Sequence, residues 1–330
     1  MKRSSQRWMT LMIILVIGVT IYICIHMGLN MNTDKVYRMV YIPKSEEQGN
    51  NFWTSLIEGA KMASEEYGVE LEILSPDNEE QYEKQNELIE QAILEKPDAI
   101  LVSACTYSDN TAMLKKVKEN GIKLVLIDSV VDEEIEDLVV ATDNRIAAKN
   151  LGTYAAQFIN AGDQIVVVGH VKEASTSLDR QEGLKEGLGD KASGIQEVVY
   201  SGSIFLKAYE LTVEMIKKYP DLKMVVGLNE PSAVGAARAI KEYKKQDQIT
   251  MVGFDNSNEE IQLMEEGIIK GIAVQEPFNM GYMGIQQTVR LLRGEKIDKV
   301  IDSGSKLINL GNLYNEQNQK LLFPFDGGKN

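Results

Sequence analysis

"VYRMVYIPKSEEQGNNFWTSLIEGAKMASEEYG" (Val36–Gly68) runs from an apolar stretch through a polar turn into an amphipathic one. "VYRMVYI" has the length and composition of a buried strand. "FWTSLIEGAKMASEEYG" repeats its apolar residues at the helical period and ends on Gly68, where a helix C-cap belongs. A strand handing over to a helix is the first half of a βαβ unit. The odd feature is Phe52-Trp53 at the handover, since such turns are normally polar and solvent-facing. The two rings are either the first core residues of the helix or the wall of a pocket.

The same alternation continues. "VELEIL" (Val69–Leu74), "DAILVS" (Asp98–Ser103), "KLVLID" (Lys123–Asp128) and "DLVVAT" (Asp137–Thr142) are further apolar runs. Helical stretches such as "EEQYEKQNELIEQAILEK" lie between them, and Gly121 marks a second C-cap. A second series follows: "QIVVVGH" (Gln164–His170), "IQEVVY" (Ile195–Tyr200), "KMVVGLN" (Lys223–Asn229), "ITMVGFD" (Ile249–Asp255) and "GIAVQ" (Gly271–Gln275). Helices are expected between them at about 177–188, 205–218, 231–245 and 258–266, with a last one at 278–292. This is the pattern of βαβ units and parallel sheets. The predicted fold is α/β, with two doubly wound, Rossmann-like parallel-sheet lobes. No Gly/Pro-rich linker separates the series, which favours lobes joined by several crossing strands. Ligands of open parallel sheets bind beyond the carboxyl ends of the strands. Those ends carry Asn50-Asn51-Phe52-Trp53, Cys105-Thr106-Tyr107 and Asp128-Ser129 in the first series. In the second they carry His170, Asn229-Glu230, Asp255-Asn256 and Gln275-Glu276.

Composition narrows the function. With 330 residues and 44% hydrophobic content the chain can bury two cores. A net charge of −14 argues against a nucleic-acid partner, which needs a basic face. Two histidines and two cysteines without ligand spacing leave little material for a zinc site or a Ser-His-Asp hydrolase. The chain carries no GxxxxGK[ST], GxSxG or strand-linked GxGxxG. "GLKEGLGDKASG" (Gly183–Gly194) is glycine-rich but follows a helix, with the wrong spacing for a phosphate loop. No enzyme, cofactor or metal is expected. Residues 1–8 are basic, and 9–29 ("MTLMIILVIGVTIYICIHMGL") run uncharged for a length that spans a bilayer. Positive charge before the span places the N-terminus inside and the rest outside. The segment is expected to be an uncleaved anchor, with a cleaved signal as the alternative; either way the body is extracytoplasmic. Cys24 falls in that span and Cys105 beyond it, so no disulfide is expected, and Cys105 reads as a small buried residue.

"NNFWTSLIEGA", "LVLIDS", "STSLDRQEGL", "VVGLNEPSAVGAARAI", "MVGFDNSNE" and "GIAVQEP" together resemble, in order and spacing, the type I periplasmic sugar-binding proteins of the ribose/galactose-binding class. The resemblance spans about 36–312. It implies a ligand cleft between the lobes and a three-stranded hinge, with crossings near Thr142–Asn144, Gln275 and Ser303–Lys306. The lobes would be 36–142 plus 276–303 and 143–275 plus 304–330, after a linker at 30–35. It also implies that Asn50, Phe52 and Trp53 supply an amide and two stacking rings. Asp128 supplies a carboxylate and Arg180 a second-lobe guanidinium, with Asn229, Asp255 and Gln275 as the remaining polar contacts. Two positions depart from the ribose binder: Ser129 replaces a second arginine, and Ser203 stands where a ring is expected, with Phe205 nearby. No acidic loop of calcium-binding spacing is present. Lys44 is similar to a first-loop lysine that touches polar ligands in some relatives. Rings that take C–H faces, with carboxylates and amides for vicinal hydroxyls, suit a sugar.

Plainer roles exist for most of these residues. Phe52 and Trp53 could be core alone. Asp255 could be an N-cap before "NSNEEIQLM" and Asn229 the residue before a helix-opening Pro231. Arg180 could be a surface ion pair, Asp128 a turn residue and Gln275 a hinge residue only. Lys44 could be a solvated loop lysine, Tyr107 a rim residue, and His170 packed behind the site. The implied function is a monomeric solute-binding protein that closes on a small sugar. Its membrane partner would be an ABC permease or, alternatively, a sensor histidine kinase that it supplies with a ligand signal. A lactose-repressor-type regulator shares the fold but needs a helix-turn-helix where the apolar span lies.

Overall fold

The computed structural model describes residues 35–46 and 50–323, together with Met12 and Val19. The expected membrane segment 9–29 therefore lies, but for Met12 and Val19, outside the described residues, as does Cys24. Among the described residues no helix is long and apolar enough to cross a membrane.

The first series builds β1 (Arg38–Ile42), α1 (Asn51–Tyr67), β2 (Glu70–Ile73), α2 (Tyr82–Glu95), β3 (Ala99–Val102), α3 (Thr111–Glu119), β4 (Lys123–Ile127) and β5 (Leu138–Ala141). The second builds α4 (Asn144–Ala155), β6 (Gln164–Gly169), α5 (Ser175–Leu188), β7 (Ile195–Tyr200), α6 (Phe205–Lys218), β8 (Leu222–Gly227), α7 (Glu230–Glu242), β9 (Thr250–Phe254), α8 (Asn258–Glu265) and β10 (Ile269–Gln275). Then come α9 (Pro277–Leu292), β11 (Val300–Asp302), β12 (Ser305–Ile308) and α10 (Glu316–Leu322). Two six-stranded sheets result, of order β11-β5-β4-β3-β1-β2 and β12-β10-β9-β8-β6-β7. The first is parallel throughout. The second is parallel apart from its edge, where β12 runs antiparallel to β10, with Gln275 opposite Ser305.

Strands buried on both faces explain the near-continuous apolar runs. Val40, Ile100 and Leu124 pack under α2 and α3. In the second sheet Val166 and Val225 face α6 and α7, while Val167 and Val226 face α4 and α5. Helices α1 and α9 approach through glycine: a Cβ on Gly281 would lie 1.9 Å from the Leu56 carbonyl oxygen.

The chain passes between the sheets three times, from β5 to α4, from β10 to α9 and from β11 to β12. The passages lie side by side. The Thr142 and Ser303 hydroxyls are 3.1 Å apart, and the Asp143 N–H donates to Asp302 Oδ1 at 3.2 Å. They set the two sheets' strand ends against each other.

Candidate ligand cleft

Helix α1 begins where the strand β1 hands over. The Asn50 side chain caps it by accepting from the Trp53 N–H at 3.5 Å. That cap turns Phe52 and Trp53 inward, with their rings edge-to-face at 5.0 Å. Both are buried, and both line a small cavity between the sheets. Trp53 Nε1–H donates to Glu79 Oε1 at 2.8 Å. The rings are thus core and pocket wall at once.

The first lobe's wall is charged. Lys44, 1% exposed, donates from Nζ to Asp128 Oδ2 at 3.0 Å and lies 5.7 Å from the Trp53 ring centroid. It is no solvated loop lysine. Burial pushes the Glu79 carboxyl up from its ordinary range, against the pull of Lys44 and the Trp53 N–H. The Ser203 hydroxyl reaches Glu79 from the other lobe.

The second lobe's wall is built from strand ends and from helix α5. Arg180, on α5, donates Nε to Asn144 Oδ1 and Nη1 to the Leu228 carbonyl, each at 2.7 Å. Its guanidinium lies 4.4 Å from the Phe254 ring centroid, so it is buried and positioned rather than a surface ion pair. Asp255 accepts from Gln275 Nε2 at 2.6 Å and from the Glu230 N–H at 3.0 Å. Burial raises its pKa, and Arg180 opposes that shift. The α8 cap is Ser257, not Asp255, so the capping alternative for Asp255 fails. Asn229 Oδ1 caps α7 by accepting from the Ser232 N–H, and its Nδ2 donates to Ser203 Oγ at 3.0 Å. Gln275 Oε1 is buried without a partner. His170 lines the cavity with Thr176, whose hydroxyl is 2.9 Å from Nε2. Burial, then Arg180 and Lys44, hold its pKa well below the ordinary value, so the ring is neutral.

Asp128, Ser203 and Asp255 all have positive φ (69°, 61° and 76°). Non-glycine residues pay strain for that conformation, and such residues cluster at functional sites.

Eight of the sequence-predicted residues line this one cavity together with Lys44: Asn50, Phe52, Trp53, Asp128, Arg180, Asn229, Asp255 and Gln275. Tyr107, Ser129 and Ser203 do not line it. Tyr107 is 38% exposed, and its backbone N–H, not its ring, bridges to Glu173 of the other lobe at 2.7 Å. Ser129 Oγ turns away to donate to the Ala104 carbonyl. Ser203 stands behind the wall, between Asn229 and Glu79. Glu79 gives no signal in the sequence, because its acidic loop "SPDNEEQ" looks solvated there. Asn51 and Glu230 give no sign in the sequence of being partners. Asn51 donates its N–H to Glu230 Oε2 at 3.1 Å and Nδ2 to Oε1 at 2.7 Å, clasping one lobe to the other. Both stood at strand ends in the sequence, but only the fold brings them face to face.

The cavity measures about 20 Å³, room for about one water. A groove of about 520 Å³ opens beside it and shares Phe52, Asp255 and Gln275 as walls. The buried Cys105 thiol takes no part: burial pushes its pKa up to about 12.

Residues 40–296 match the family model described as periplasmic binding protein domain. The chain is 25% identical over 295 residues to the D-ribose/D-allose-binding protein of Pseudomonas aeruginosa, covering 85% of this chain and 91% of that one. Among solved structures it is similar to a sugar transporter from Clostridium phytofermentans, 44% identical with a TM-score of 0.79, over 83% of this chain and 99% of that one. A solute-binding protein of Agrobacterium vitis with bound D-fucose is 26% identical, with a TM-score of 0.80 over 86% and 99% of the two chains. Two α/β sheets facing across a polar, ring-walled cleft, and a family match over most of the chain, give one conclusion: this chain belongs to the type I periplasmic sugar-binding protein family.

Proposed function

We propose that this protein binds a small monosaccharide-like ligand in the cleft, closes on it by bending at the three passages, and delivers it to an ABC-type permease. The observation that carries the reading is the convergence of rings, carboxylates, amides and a guanidinium from both lobes on one cavity. Stacking rings hold a sugar's C–H face, while Asp128, Asp255, Arg180, Asn229 and Gln275 offer acceptors and donors to its hydroxyls. Hydrogen bonds to charged groups contribute about 1.5–3 kcal/mol each. A few of them with ring contact support micromolar binding, on the order of −8 kcal/mol. The cavity is smaller than any sugar, so entry requires lobes 36–142 plus 276–303 and 143–275 plus 304–330 to part. The relatives named above bind or transport sugars and none is named as an enzyme, in keeping with a binding role.

Residues 9–29 would hold the protein on the outer face of the membrane. A fixed anchor also favours a second reading, in which the closed form reports to a sensor histidine kinase. The test of the binding reading is a thermal-shift screen of the purified protein against pentoses, hexoses and deoxysugars. A ligand at a hundred times its Kd stabilises by about 2.7 kcal/mol. No shift with any saccharide, but one with an amino acid or a nucleoside, would sink the sugar reading.

A further inference from the structure

The inner cavity and the neighbouring groove are one continuous site, since Phe52, Asp255 and Gln275 belong to both. Their sizes differ sharply, about 20 Å³ against about 520 Å³. The larger figure falls within the range of roughly 300–1,000 Å³ typical of small-molecule sites. The groove runs between the lobes: Ser55 and Phe278 stand on one side, Asn256, Asn258 and Leu321 on the other. Its wall alternates apolar faces with planar amides. Gln275 Oε1 and Asn256 Oδ1 are buried without partners, two acceptors that call for ligand donors. The Gln275 assignment is fixed by its own amide, whose Nε2–H₂ must donate to Asp255. Asn256 Nδ2 is likewise committed to the Leu322 carbonyl. Charge in the groove is mixed, with Glu276 and Lys320 on its walls, so nothing there selects an ion.

We infer that the groove is a second subsite, which takes a further hydroxylated ring joined to the sugar held in the inner cleft; the ligand is then a disaccharide or other glycoside. The inference rests on the sugar-binding reading and extends it. Rings and apolar side chains meet the C–H face of the second ring, and its hydroxyls donate to the orphaned amide oxygens when the lobes close around it.

Calorimetry of the full-length protein tests this with matched pairs: D-glucose with maltose and cellobiose, D-galactose with lactose and melibiose, D-xylose with xylobiose. At least one disaccharide should bind about tenfold tighter than its monosaccharide. Ser55→Trp fills the groove from one side and Asn258→Trp from the other, and neither residue lines the inner cavity. Each folded variant should weaken the disaccharide by about tenfold or more and leave the monosaccharide within about twofold. Monosaccharide binding with no gain for any disaccharide, or equal effects of the variants on both, overturns the second subsite and leaves the sugar reading standing. Binding of neither kind of saccharide overturns both.

Discussion

Glu230→Gln should change how stability depends on pH, and the structure sets the size. Glu230 is 1% exposed and faces Asn51 of the opposite lobe. Its carboxyl is raised from 4.5 to about 7, first by burial and then by Asp255, against the two Asn51 donors and Ser257. Glu260, itself raised by burial and by Glu230 and Asp255, sits in the same acidic cluster. A carboxyl with a raised folded-state pKa favours the folded form fully below about 4.5. That advantage declines as pH climbs to about 7 and is constant above it. The difference of 2.5 between the two values corresponds to about 3 kcal/mol. A glutamine carries no proton to lose, so the variant should gain on the parent by that amount across the window. In melting temperature this is a relative gain of roughly 6 °C between pH 4 and pH 8. Thermal melts of both proteins at unit pH steps measure it directly. An offset that is constant with pH, or one that grows toward acid, would mean that Glu230 does not lose its proton in this window.

Other expectations follow from single contacts. Asp128→Ala strands the buried Lys44 ammonium and should cost about 3–5 kcal/mol in denaturant unfolding; adding Lys44→Met should recover most of the loss, and a double variant no better than the single one contradicts the pairing. Gly281→Ala drives a methyl into the Leu56 carbonyl and should destabilise by about 1–3 kcal/mol in the same assay, while a neutral result would mean that α1 and α9 are free to separate. Protease added to intact cells should release the lobes if residues 9–29 anchor them outside; complete protection would place them inside.

The β/α rhythm was legible because parallel strands buried on both faces must be apolar runs. The edge strands β11 and β12 were not. "VID" and "SKLI" are short and part-exposed, and only their pairing with β5 and β10 makes them strands. In the cleft, Asp128 and Asp255 stood out because strand ends and family motifs coincide there, and Arg180, inside a helix, through its motif alone. Glu79 did not, since its loop reads as solvated until Trp53 and Ser203 close over it. The left-handed backbone of Asp128, Ser203 and Asp255 has no sequence signature, because aspartate and serine occur freely elsewhere. Tyr107, at a strand end, takes the rim alternative: it is exposed, and its backbone N–H meets the other lobe. Asn229 caps a helix, as its place before Pro231 suggested, and also lines the cavity.

The most direct test of sugar binding in the cleft is a calorimetric titration of parent and Arg180→Ala proteins with the strongest saccharide from the thermal screen. Arg180 joins Asn144 and Leu228 beneath the cavity, so its loss removes a donor and loosens the wall together. The parent should bind one-to-one, and the folded variant at least about tenfold more weakly. Equal affinity in the two proteins would place the ligand somewhere other than this cleft.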